Sequence, residues 1–194
     1  MPKFREATMQ NRALIQSIEA EYQRYKALGE SAITQVSAQE LTQPFGGNSI
    51  ATIAWHMSGN LVSRFTDFLT TDGEKPWRKR DEEFEPRQVT KEALLQKWEA
   101  GWAVLFATLQ TLNDADLPRI VTIRKQELRV HEALHRSLAH ASYHVGQIVL
   151  IAKSFRGAEW KYLSIPPAGS TAYNQNPSLE KPAQHANTIR EKKQ

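Results

Sequence analysis

Six histidines and no cysteine are the residues of this 194-residue chain whose types and spacing bear most on chemistry. Four of the six form two i, i+4 pairs, His131/His135 and His140/His144. Imidazoles four apart on a helix point the same way, about one turn apart, and can chelate one metal ion. The spacing alone also fits capping, surface or hydrogen-bonded histidines. A fifth, His56, lies in SIATIAWHMSGNLVSRFTDFL, a segment that is apolar around most of a helical circumference. Its narrow polar strip is His56, Asn60, Ser63 and Asp67, and a buried strip of that kind needs partners. A metal shared between His56 and one of the pairs would supply them. A hydrogen-bonded polar seam or a dimer interface would serve as well. The absence of cysteine removes thiolate zinc sites, disulfides and a protein thiol nucleophile.

Periodicity alone barely separates the two pairs, and the residues beside each decide which faces inward. The last long helix carries an apolar stripe of Leu134, Leu138, Ala141, Val145, Ile148 and Ala152. The flank with His140 and His144 continues into Ile148 and Ile151, whereas the flank with His131 and His135 continues into Ser142, Gly146 and Lys153. The inner pair is therefore His140/His144. His131, His135 and His185 read as surface or capping histidines.

Four long amphipathic segments must position these residues, and they predict an all-α chain built as a four-helix bundle. The first spans about Asn11 to Val36, and the second about Ser49 to Leu69 behind an Asn48 or Ser49 N-cap. The third runs from a Thr90 N-cap to about Leu112 and buries Trp98 and Trp102. The fourth spans about His131 to Phe155 and stops near Gly157. RIVTIRKQELRV, just before the fourth helix, reads as a small β-hairpin flanking a polar RKQE. A loop from Thr71 to Val89 is long enough to be functional or disordered, and its Trp77 and Phe84 suggest that part of it packs.

The net charge of +4 invites a nucleic-acid reading, but the end of the chain carries most of it. Lys181, Arg190, Lys192 and Lys193 face Glu191 alone, so the body is nearly neutral and lacks the footprint of a nucleic-acid binder. Residues 175–194 are expected to form a flexible basic tail after a domain spanning 1–174. The N-terminus has no apolar h-region and no segment approaches a membrane span, so a cytoplasmic location with no membrane partner is expected.

The segments AWHMSGNLVSRFTDFLTTDGEKPWRKRDEEFE and LAHASYHVGQIVLIAK, with SIPPAGS after them, resemble the DinB-like superfamily of bacterial four-helix-bundle metalloproteins. That superfamily includes bacillithiol transferases and mycothiol-dependent relatives. The likeness covers roughly residues 8–174 and is strongest to an uncharacterised bacterial subgroup. It implies an up-down-down-up bundle, a frequent homodimer, and a divalent metal held by His56, His140 and His144. Three neutral imidazoles leave open coordination positions, as a catalytic site requires. All-nitrogen ligation suits zinc, nickel, iron or manganese without choosing among them.

The function this implies is thiol S-transfer: a low-molecular-weight thiol is activated for attack on a small-molecule electrophile. The catalytic agent is a metal-bound thiolate or water, and no protein nucleophile is assigned. A metal-hydroxide hydrolase or isomerase is the alternative, and a non-catalytic metal- or ligand-binding stress protein is a third reading. Asn60 and Gln147 are candidates to orient an imidazole or a bound water. The KPWRKR segment, with Trp77, Arg78 and Arg80, is a candidate to close over the site and bind an anionic group. A solvated charged loop is the plainer reading of that segment.

Overall fold

The computed structural model describes residues 11–191, and within them the protein is mostly helical, with seven α-helices and one two-stranded antiparallel hairpin. In chain order these are α1 (Ala13–Gln35), α2 (Ala38–Thr42), α3 (Ile50–Phe65), α4 (Lys91–Thr111), β1 (Ile120–Ile123), β2 (Gln126–Arg129), α5 (Val130–Arg156), α6 (Ser170–Gln175) and α7 (Pro182–Glu191). Each of the four long helices packs on two others: α3 against α4 and α5, and α1 against α4 and α5. The core between them holds Tyr22, Phe65, Trp98, Trp102, Leu134 and Ile148, all buried. Each large apolar side chain removed from water there contributes roughly 1.5–3 kcal/mol.

The helix ends follow local chemistry. Ser49 Oγ accepts from Thr52 N (3.1 Å) at the start of α3, and Thr90 Oγ1 accepts from Ala93 N (3.2 Å) at the start of α4. At α1 the cap comes from a hundred residues away. The Asp114 carboxylate accepts from Leu14 N and Ile15 N at 3.1 and 3.0 Å, tying α1 to the turn after α4. α5 stops where Gly157 takes φ +51°, and the α3–α4 contact depends on Gly101, where a Cβ would lie 2.7 Å from Ser58 Cα.

Three expectations are corrected. α3 ends at Phe65, four residues before Leu69: the Thr66 hydroxyl bonds back to Val62 O, Asp67 takes φ +49°, and its carbonyl accepts from the amides of Thr70 and Thr71. In the hairpin, Gln126 and Glu127 belong to β2, and the turn is Arg124–Lys125 alone, with φ of +53° and +62°. A two-residue turn with positive φ at both positions is of type I′, which favours Asn-Gly. Here the Asp72 carboxylate accepts from both turn amides, at 2.8 and 2.7 Å, and offsets the unfavourable backbone.

The third correction concerns the expected flexible tail. Within it, α7 packs on α1 and buries His185, Ala186 and Ile189 beside Ala27. His185 Nε2 donates to Leu163 O at 2.8 Å, so it is a buried structural histidine and not a surface one. Among the described residues, no helix is long and apolar enough to cross a membrane.

Candidate metal centre

α3 and α5 bring His56, His140 and His144 together. On α5 the flank beyond His140 and His144 is buried through Ile148 and Ile151, while His135, Gly146 and Lys153 on the other flank are exposed. His131 Nδ1 donates to Leu117 O at 3.0 Å, which is a local structural role. His56 is buried on α3, and its Nε2 lies 3.3 Å from His140 Nε2; His144 Nε2 lies 3.1 Å from the same atom. One nitrogen from each of the three lies within 4.8 Å of the others.

The far nitrogens decide what the near ones can do. His56 Nδ1 lies 2.9 Å from Glu83 Oε2, and a carboxylate can only accept, so Nδ1 carries the proton and Nε2 presents a lone pair. His144 Nδ1 donates to Gln147 Oε1 at 2.7 Å, which leaves its Nε2 in the same state. Even if His140 Nε2 carries a hydrogen, that hydrogen can satisfy only one of two lone pairs. A cation among the three satisfies all of them. Tetrahedral ligands about 2.05 Å from a zinc ion stand roughly 3.3 Å apart, so the two contacts through His140 match a shared ion.

The electrostatics favour the neutral, ligand-ready form. Burial first, then His144, His56, Arg78 and Arg64, push the His140 pKa down to about 3. Burial also lowers that of His144, against the opposing hydrogen bond to Gln147. Glu83 behaves in the opposite sense: burial works to raise its pKa, but hydrogen bonds from Arg78 and His56 outweigh it and hold the carboxyl below its usual range.

Glu83 and Gly59 are the residues that sequence reasoning missed. Glu83 sits in a 3₁₀ turn, Asp81–Phe84, inside the long 71–89 loop. It accepts from Arg78 Nε and Nη2, both at 2.8 Å, as well as from His56. A carboxylate in this position fixes the ring orientation and tautomer of His56. Gly59 makes room for it, since a Cβ there would lie 2.1 Å from Glu83 Oε1. The available signal was a lone glycine in the middle of a helix, which usually has a packing reason. Ser63 helps to anchor the loop, donating to Gly73 O and accepting from Lys75 N.

The other candidates divide. Gln147 orients His144, and Asn60 lines a cavity of about 260 Å³ whose wall also includes His56 and His140. Arg78, with its side chain 2% exposed, is held by Glu83 and is not free to clasp a ligand. Arg80 lies over the Phe84 ring at 4.9 Å, and Phe84 in turn packs 4.6 Å from the His56 ring. Trp77, expected to pack, is 55% exposed and stands outside the cavity wall; Phe84 is the loop aromatic that packs.

The family model described as "Protein of unknown function (DUF1572)" matches residues 10–169, which takes in all three histidines, Glu83 and the hairpin. The chain is a member of the DUF1572 family. No curated protein and no solved structure matches it. For this DUF1572 protein the function therefore has to be argued from the three imidazoles and the cavity that reaches His56 and His140.

Proposed function

We propose that this protein is a divalent-metal enzyme of the DinB-like superfamily, with His56, His140 and His144 as the ligands in an up-down-down-up four-helix bundle. One observation carries the reading: two Nε2 lone pairs, fixed by Glu83 and Gln147, converge on a third imidazole with too few protons to satisfy them. The fit rests on donor chemistry. Burial favours the neutral form of His140 and His144, the spacing of the three ring nitrogens suits one ion, and a cavity reaches two of the three rings.

When bound, a zinc, nickel, iron or manganese ion supplies a Lewis acid able to lower the pKa of a thiol or a water. The chain does the rest. Glu83 and Arg78 hold His56 in one tautomer, and Gln147 does the same for His144. Phe84 covers the His56 ring, and Asn60 offers an amide to whatever enters the cavity. The reaction proposed is transfer of a low-molecular-weight thiol to a small electrophile, supported by the DinB-like resemblance and by the lack of any cysteine in the chain.

The test is conjugation of glutathione, cysteine and bacillithiol to a panel of electrophiles by protein loaded with each metal. Turnover that requires both thiol and metal supports the reading. Turnover without thiol supports a hydrolase or isomerase instead, and no turnover with full metal loading supports a binding role. The homodimer implied by the same resemblance is checked by light scattering.

A further inference from the structure

The cavity beside the imidazoles has a wall chemistry of its own. Five wall residues are arginines: Arg64 from α3, Arg78 and Arg80 from the 71–89 loop, Arg124 from the hairpin turn, and Arg136 from α5. No carboxylate is among the wall residues. Three carboxylates partner these arginines from outside the wall. Glu83 holds Arg78, Glu74 is shared by Arg64 and Arg124, and fully exposed Asp81 stands 3.5 Å from Arg80. Arg136 makes no ion pair among the described residues. Five guanidiniums against three carboxylates leave an excess positive charge at the cavity, where low-dielectric walls strengthen its field.

Ser137 also lines the cavity, but its Oγ is turned inward and buried beside the core Tyr22 hydroxyl. The remaining wall is largely apolar, with Phe65, Phe68 and Ile123. At about 260 Å³ the space is just below the usual range for ligand pockets, so its occupant is small.

We infer that this cavity binds the anionic head group, a carboxylate or a phosphate, of a small organic acid whose reactive part lies toward His56 and His140. Arg124 and Arg136 are the recognising guanidiniums. Both are exposed and neither is committed as Arg78 is, and a planar fork suits a two-oxygen anion. The placement of the reactive end rests on the metal reading above; the anion site does not.

The experiment is calorimetric titration of the full chain, stripped of metal by chelation, with succinate and inorganic phosphate as separate probes. Metal content is measured in parallel on unstripped protein. Saturable one-to-one binding of at least one probe is expected, and which probe binds separates a carboxylate from a phosphate. Arg124→Gln and Arg136→Gln should each weaken binding about tenfold while retaining wild-type metal content. Arg119→Gln, which removes a guanidinium outside the cavity, should leave affinity unchanged.

The inference is overturned if neither probe saturates, or if Arg119→Gln weakens binding as much as the cavity variants do. Full metal content with no probe binding sinks the anion site alone. Probe binding with the expected losses, in a protein that holds no metal, upholds the anion site and sinks the metal reading.

Discussion

Replacing Gly59 by alanine puts a methyl group where the Glu83 carboxylate now lies, 2.1 Å from Oε1 and 2.7 Å from Cδ. The carboxylate ends a flexible side chain, so the overlap itself is relieved by rotation. The cost lies in what rotation breaks: two hydrogen bonds from Arg78 and one from His56, all to buried groups. Leaving one member of a buried ion pair without its partner costs about 3–5 kcal/mol. Alanine returns up to about 1 kcal/mol of helix propensity, so the net loss is roughly 2–4 kcal/mol. For a chain of this length that is a fall in Tm of roughly 4–16 °C. The matched control is Gly146→Ala on α5, where a Cβ meets nothing within 4 Å and the same propensity gain stabilises the helix by up to about 1 kcal/mol. Thermal unfolding of both variants, followed by circular dichroism in chelator, reads the two signs side by side. If Gly59→Ala melts as high as Gly146→Ala, the Glu83 relay is not held as described.

Acidification should destabilise the metal-free protein. The folded His140 pKa lies near 3 against an unfolded value of about 6.5, so the unfolded state binds more protons between those limits and stability falls as pH drops through that window. Thermal unfolding between pH 7 and pH 4 measures it, and a flat profile would contradict the burial of a neutral imidazole. Asp72→Asn should loosen the hairpin turn by roughly 1–2 kcal/mol, because the carboxylate accepts from both positive-φ amides. Burial acts to raise the Asp72 pKa, but the backbone amides of Glu74, Lys125 and Arg124 bring it to about 2. Its contribution is therefore present above about pH 4 and lost as pH falls toward 2, and hydrogen exchange at Arg124 and Lys125 reports it. Gln147→Leu removes the acceptor from His144 Nδ1 and should weaken metal binding by ~10-fold or more in a competition titration.

The residues that their helix-flank neighbours could sort were legible in the sequence. His140 and His144 share a flank with Ile148 and Ile151, and that flank is buried; His56 lies on the polar strip of α3 and is buried too. Helix positions were legible for the same reason, with caps at Ser49 and Thr90 and a stop at Gly157. Glu83 was not. It is one of three consecutive acids in a loop, and nothing local says which of them turns inward. Its burial depends on Gly59 and Arg78, contacts that only tertiary structure brings together. α7 was missed because its apolar face is only three residues wide, His185, Ala186 and Ile189, on an otherwise polar helix. The early end of α3 likewise turns on Asp67 adopting a left-handed backbone, which an aspartate can do but does not announce.

The most direct measurement is the metal content of protein purified without chelator or affinity metal, for wild type and His140→Ala, by plasma mass spectrometry. His140 Nε2 is the atom that both other imidazoles approach, so its loss dismantles the cluster while sparing the core. The account predicts close to one divalent ion per wild-type chain and almost none in the variant. Equal metal in both, or none in either, would contradict it.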